Sequence, residues 1–384
     1  MTTHNPQKKG IGTFLFRLFI MAALTALSLA AITLVRFQQF QDSAINLPAG
    51  GLIYNMPAGA SLNQLAHDLE ARGIIQHPRF LILLGRQMDA ATRLQAGEYD
   101  LARGVTPPDL LQVLVAGKVI QHELTLIEGH SFREMLQRVN ANPILEHTLI
   151  DMSDAEIMAA LGQADQHPEG RFLPDTYHIT RGTTDLDFLR RAYQALADRL
   201  HTEWDAREEG LPFKTADEAL ILASIVEKET GVPEERPQIA GVFVRRLQKG
   251  MRLQTDPTVI YGMGASYDGN IRKRDLLKDT PYNTDTREGL PPTPIAMPGV
   301  EAIHAVMHPA PGTSLYFVAM GEGRHYFSAT LEQHNLAVDK FQKKKKGITL
   351  PPQGQSSCKA SSLPLKASKG LENPPTWILS TSNC

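Results

Sequence analysis

Cysteine is almost missing from this chain: there are two in 384 residues, Cys358 and Cys384, both close to the C-terminus. The body of the protein therefore carries neither disulfide nor thiol chemistry. The 13 histidines form no HExxH and no Cys/His cluster at zinc spacing, so neither a metal site nor a cofactor is expected. Excess charge is lacking as well. A net charge of -2 gives no general attraction to nucleic acid or to an anionic surface, and no nucleic-acid partner is expected. With 42% hydrophobic and 21% charged residues, disorder throughout is excluded, and the length allows two or three compact units.

Long uncharged runs are scarce too, with one exception. Leu18 to Val35 (LFIMAALTALSLAAITLV) has no charge and as a helix would span roughly 27 Å, close to a bilayer's hydrocarbon thickness. Lys8, Lys9 and Arg17 precede it and only Arg36 follows closely. This asymmetry predicts a cytoplasmic N-terminus (residues 1–17), a transmembrane helix (18–36) and the remainder outside. A cleaved signal peptide is the competing reading, with Ser28-Leu29-Ala30 as its cleavage site; the length of the run favours the uncleaved anchor.

One pattern then recurs four times: YNMPAGASLNQLAHDL, YDLARGVTPPDLLQVL, LTLIEGHSFREMLQRV and YHITRGTTDLDFLRRA. Each reads as a short strand, a glycine turn (Gly59, Gly104, Gly129, Gly182) and a hydroxyl two residues on (Ser61, Thr106, Ser131, Thr184) that caps a helix. The glycine numbers differ by 45, 25 and 53, so no fixed-period solenoid is implied, and small α+β modules are expected. Beyond Lys214 longer helices are predicted: one from about Ala216 behind the box Thr215-Ala-Asp-Glu218, ended by Gly231 and Pro233, and a second over 236–248. The proline-rich GLPPTPIAMPG is irregular. A short helix over 300–307, two strands about Gly321-Glu322-Gly323, and a helix over 330–341 follow. Residues 343–384 read as a disordered tail.

The helix ending ILASIVEKETG is apolar on nearly every side, so it is expected to be internal, and its terminal acids cannot all face solvent. Glu227 and Glu229 point about 200° apart and do not form the facing pair of a two-acid glycosidase. Glu227 lies over the small Ala223 and Ser224, leaving room for a carboxyl that burial and the helix C-terminus would bias towards its protonated form; Glu229 lies over bulky Ile225 and Val226. The bland alternative is the solvated last turn of a core helix.

ILASIVEKETG, RLQTDPTVIYGMG, PYNTDTREGLPPTPIAMPG and HPAPGTSLYFVA, with EGRFLPDTYHI before them, resemble in this order the MltG (YceG-like) family of endolytic murein transglycosylases. The resemblance runs from roughly residue 50 to 341. It implies an α+β, membrane-anchored protein with a LysM-like subdomain (50–120) before a mixed α+β catalytic domain (121–342). It also implies cleavage of the β-1,4 bond between N-acetylmuramic acid and N-acetylglucosamine in nascent peptidoglycan strands, giving 1,6-anhydromuramoyl ends. Glu227 matches the family's catalytic glutamate. Gln254, Thr255 and Asp256 would line the glycan cleft or cap the helix running to Gly262. Tyr282, Asn283 and Thr284 would stack on and hydrogen-bond an N-acetylated sugar, or serve as turn residues. The setting implied is the bacterial inner membrane, with peptidoglycan strands as partners and peptidoglycan synthases as candidate neighbours. A non-catalytic glycan-binding anchor and a muramidase-type hydrolase are the alternative functions. The tail departs from the family pattern.

Overall fold

A computed structural model describes residues 8–351, with side chains from residue 14 onward. Helix α1 (Lys8–Asp42) contains the apolar run and leaves Phe19, Leu27 and Leu34 largely exposed. It is long and apolar enough to cross a membrane, a test that a signal sequence also passes. It does not end with the apolar run. Phe37 and Phe40, near its C-terminal end, pack their rings 5.5 and 5.8 Å from that of Phe80.

The four sequence repeats combine in pairs. Repeats one and two form β1 (Leu52–Met56), α2 (Leu62–Ala71), β2 (Gly97–Leu101) and α4 (Pro107–Ala116), with α3 (Pro78–Gln87) between them. Repeats three and four form β3 (His122–Thr125), α5 (Phe132–Asn140), β4 (Thr176–Ile179) and α7 (Asp185–Asp205), with α6 (Asp154–Ala160) between them. In each pair the two strands close an antiparallel ribbon, Tyr54 opposite Tyr99 and Leu124 opposite Tyr177. The chain thus builds one βααβα arrangement twice. This explains the irregular spacing: an additional helix occupies each long gap, and the short gap joins the two units.

The expected turn chemistry is present in all four copies. Gly59, Gly104, Gly129 and Gly182 have φ of 73°, 92°, 74° and 87°, a region in which a side chain is strained. Ser61, Thr106 and Ser131 close reciprocal capping boxes, and Thr184 accepts the N–H of Asp187. Across the junction, buried Glu98 on β2 is hydrogen-bonded to the His122 ring at 2.7 Å and ion-paired with Arg181. The first unit is therefore tied to the second by charge as well as by chain.

The remaining elements are α8 (Ala216–Glu229), α9 (Arg236–Gln248), α10 (Asp256–Met263), α11 (Lys273–Leu277), α12 (Val300–Met307), the hairpin β5 (Tyr316–Gly321) and β6 (Arg324–Ser328), and α13 (Leu331–Phe341). As its composition requires, α8 is central. Leu220, Leu222, Ala223, Ile225 and Val226 are buried among Ile239, Val242 and Phe243 of α9, Ile303, Val306 and Met307 of α12, and Leu196 and Leu200 of α7. At its start Thr215 accepts the N–H of Glu218, but the reciprocal half of the expected capping box is diverted, because the Glu218 carboxylate takes the N–H of Lys214 at 2.6 Å. The start of the expected tail also has partners: Lys343 and Lys345 both pair with Asp339 of α13 at 2.9 Å. Cys358 and Cys384 lie outside the described residues.

Candidate functional site: a glutamate held between two helix N-termini

The C-terminal end of α8 meets three other segments. The first is the turn of the third repeat, Ile127 to Ser131. The second is the proline-rich stretch that enters α12, and the third is the start of α9. Two hydrogen bonds lace the turn to the proline-rich stretch: Gly129 N–H to the Met297 carbonyl at 2.9 Å, and Met297 N–H to the His130 carbonyl at 2.8 Å. Lys228 fastens α8 to the same turn by donating to the Gly129 carbonyl at 3.0 Å.

Glu227 lies at this junction with its side chain only 6% exposed. One carboxylate oxygen accepts the backbone N–H of Gly299 at 3.0 Å, and the other accepts from Arg236 Nη2 at 3.4 Å. Gly299 is the N-cap of α12, and Arg236 opens α9. The carboxylate thus faces two helix starts, where partial positive charge gathers. The room expected above Ala223 and Ser224 exists but is filled. Ser224 Oγ accepts the N–H of Ile295 at 3.0 Å, so the small residues let the proline-rich strand approach closely and bring Gly299 to Glu227.

Two further carboxyls were not singled out from sequence. Glu128 Oε2 lies 3.7 Å from the same Arg236 Nη2 that contacts Glu227. Burial, then the Glu227 charge, raise the Glu128 carboxyl above its ordinary range, and Arg236 opposes them. The signal available was its position. The residue before the turn glycine is Ala58, Arg103, Glu128 and Arg181 in the four repeats, acidic only in the third. Glu169, in the EGRFLPDTYHI stretch, is buried and accepts Phe132 N–H and Tyr261 O–H, both at 2.9 Å. Burial pushes its carboxyl up to about 7. Tyr261 in turn packs 4.8 Å from Tyr282, ring to ring.

Glu229 points away from Glu227, as the helix geometry requires. It accepts from Thr255 Oγ1, and burial raises its carboxyl while that hydrogen bond lowers it. Because the Thr255 hydroxyl is engaged there, it makes no side-chain cap on α10. Thr255 is buried, and its N–H reaches Thr284 Oγ1 at 3.2 Å. Thr284 is also buried and shares a hydroxyl contact of 2.9 Å with Thr258. Asn283 donates to the carbonyls of Asp275, Leu276 and Lys278 and accepts from Asp285 N–H. The polar groups of these three residues are engaged within the protein, where they shape the loop. Gln254, with φ of 53°, and Asp256 are exposed beside it. The Tyr282 hydroxyl meets Thr293 Oγ1 at 2.8 Å. His308 lies elsewhere, at the far end of α12. There Glu203, His304 and His308 gather with their ligand-type atoms within 4.8 Å of one another, a grouping that sequence spacing did not reveal.

Comparison with known proteins gives a consistent result. The YceG-like family model matches residues 54–340. An endolytic murein transglycosylase of Bacillus subtilis (strain 168) is 29% identical over 304 residues, covering 75% of this chain and 84% of that protein. One from Streptococcus pneumoniae serotype 2 is 27% identical over 339 residues, and the match spans 79% of this chain but 61% of that longer protein. The 2.6 Å crystal structure of a yceG-like protein from Listeria monocytogenes is 29% identical, covering 75% of this chain and 99% of that one, with a TM-score of 0.47. With the family match extending over most of its length, this chain belongs to the YceG-like family.

Proposed function

We propose that this protein is an endolytic murein transglycosylase: it cleaves the β-1,4 bond between N-acetylmuramic acid and N-acetylglucosamine within peptidoglycan strands and leaves 1,6-anhydromuramoyl ends. The observation that carries the reading is Glu227, a carboxyl at the end of a buried helix, held by Gly299 N–H and Arg236 and bordered by the exposed Lys228 and Glu128. The names of its curated relatives agree with it.

The reaction needs one group in two protonation states. Protonated Glu227 donates to the glycosidic oxygen as the C1–O bond breaks. As carboxylate, it takes the proton of the C6 hydroxyl as that oxygen closes on C1, which restores the acid. Arg236 and Gly299 N–H fix the orientation of the carboxyl throughout. Exposed Gln254 and Asp256 and the ring of Tyr282 are the proposed glycan contacts, with Thr255, Asn283 and Thr284 holding their loop in shape.

The first βααβα unit is read as the LysM-like glycan-binding subdomain. A cavity of about 280 Å³ lined by Tyr54, Asn55, Asp68 and Arg72 gives it a place for a sugar. Helix α1 is read as a single-pass anchor in the bacterial inner membrane, with the bulk of the chain outside the cytoplasm and peptidoglycan synthases as neighbours. The charges around the apolar run support that orientation.

Glu128 gives one rival a specific footing. A muramidase-type hydrolase uses two carboxylates, and Glu128 stands beside Glu227. Here one guanidinium bridges the pair, which favours the single-acid route. Mass spectrometry of products from purified sacculi decides: anhydro ends are one water lighter than reducing ends, and reducing ends alone would replace the lyase by the hydrolase.

A further inference from the structure

The route above makes no use of Glu128, yet the fold makes room for it. Gly299 has an ordinary φ of −72°, so its backbone does not require glycine. Space does: a Cβ at position 299 would lie 2.0 Å from Glu128 Oε1 and 2.4 Å from its carboxyl carbon. The Glu128 side chain, 47% exposed, therefore lies across the start of α12, against the residue whose N–H holds Glu227. Arg236 has no carboxylate partners among the described residues other than these two, and its buried Nε has none at all. One positive charge thus serves two carboxylates.

The surrounding charges do not remove that imbalance. Lys228 is directed to the Gly129 carbonyl. Glu134 is occupied with Ser131 in the α5 cap, with His130 beside it. Glu235 is bound to His325, Glu234 is exposed, and Glu229 faces Thr255. Glu301, in the first turn of α12, adds a further negative charge near Glu128.

We propose that Glu128 is a positioning residue for the reaction: by sharing Arg236 with Glu227 it leaves the pair one positive charge short, so that Glu227 retains the proton that the leaving oxygen needs. This rests on the reading of Glu227 as the acid. With both carboxylates ionised the trio is net negative; one proton makes it neutral, and the two carboxyls compete for that proton as a coupled pair. Remove the charge of Glu128, and Arg236 belongs to Glu227 alone. The acid form of Glu227 is then confined to lower pH.

The test uses the full chain in detergent, with anhydro-end release from sacculi followed as kcat/KM against pH. Glu128→Gln is expected to move the alkaline limb of the profile acidward by about one pH unit, about a tenfold loss along that limb, with activity on the acid side kept. Glu128→Asp, which keeps the charge, is expected to stay near the parent profile. Gly299→Ala displaces the Glu128 carboxyl from the other side and should shift the limb in the same direction. The double variant Glu128→Gln/Gly299→Ala should shift it no further than Glu128→Gln alone, the signature of two changes acting through one interaction. An unshifted limb in Glu128→Gln, or a uniform loss at every pH, overturns the proposal. Glu227→Gln separates the layers: if it still releases anhydro ends, the reading of Glu227 itself fails, whereas an inactive Glu227→Gln with an unshifted Glu128→Gln defeats this inference alone.

Discussion

Ser224 on α8 accepts the N–H of Ile295 at 3.0 Å, joining two residues 71 positions apart, and so fixes the strand that delivers Gly299 to Glu227. Ser224 is fully buried, and its hydroxyl donates onward to the Ile221 carbonyl. Ser224→Ala leaves the Ile295 N–H without a partner in the core, which is expected to cost about 1–3 kcal/mol. Urea unfolding measures this. Activity should fall more than Ser224's distance from the sugar suggests, because Gly299 loses its register; a stable variant with parent activity would show that the strand is held by other means.

Glu227→Gln keeps the volume of the side chain and the acceptor for Gly299 N–H but removes the transferable proton. Anhydro-end release is expected to fall at least about a thousandfold, with the unfolding midpoint close to that of the parent. Glu229→Gln, on the opposite side of α8, should lose less than tenfold. The reverse ranking would exchange the roles of the two acids.

Glu169 predicts a pH effect on stability. Its carboxyl is raised to about 7 in the folded chain, so the folded state holds this proton more tightly than the unfolded one. Its stabilising contribution is therefore complete below the unfolded carboxyl range and is lost as pH rises towards 7, at most about 3 kcal/mol in all. Glu169→Gln can keep both hydrogen bonds and removes the titration. Its unfolding midpoint should fall less steeply between pH 4.5 and 7.5 than that of the parent; parallel curves would exclude Glu169 as the source.

Glu98→Ala cuts the charged link between the two βααβα units and leaves His122 and Arg181 without their carboxylate. The expected loss is about 1–3 kcal/mol, towards the lower end because Arg181 is partly exposed. Anhydro ends should still form, but from strands of broader length distribution, since the first unit no longer holds the glycan at a fixed distance from Glu227. Chromatography of the released strands gives the answer. An unchanged distribution would indicate that the first unit plays no part in choosing the cut.

What could be read in the sequence follows from the range of each interaction. Caps and turns act within three or four residues, so Ser61, Thr106, Ser131 and Thr184 announced their helices, and the short helix α12 appeared at 300–307 as expected. The duplication of the βααβα unit was half visible: the repeats were plain, but their pairing depends on strand contacts such as Tyr54 with Tyr99. Helices α3 and α6 were missed, although Ser153 and Glu156 form a capping box that the sequence spells out. Glu227 was accessible from the apolar surroundings of α8. Its partners were not, because Glu128 and Gly299 lie 99 and 72 positions away and meet it only through the fold. Thr255, Asn283 and Thr284 show the opposite limit: polar residues in a loop look available until their partners inside the protein are known.

The packing of Phe37 and Phe40 against Phe80 has a mechanical meaning. An anchor followed by a flexible tether would let an enzyme sample a hemisphere of wall above its membrane. Here the apolar helix continues unbroken to Asp42 and its last turns become part of the first unit's core. Under the proposed anchoring, bending at the membrane surface would require unpacking aromatic rings, so the first unit stands at a set height and tilt, and Glu98 passes that constraint to the second. The reach of Glu227 into the wall then becomes a fixed dimension of the molecule, and the layer of glycan it can cut is the one at that height.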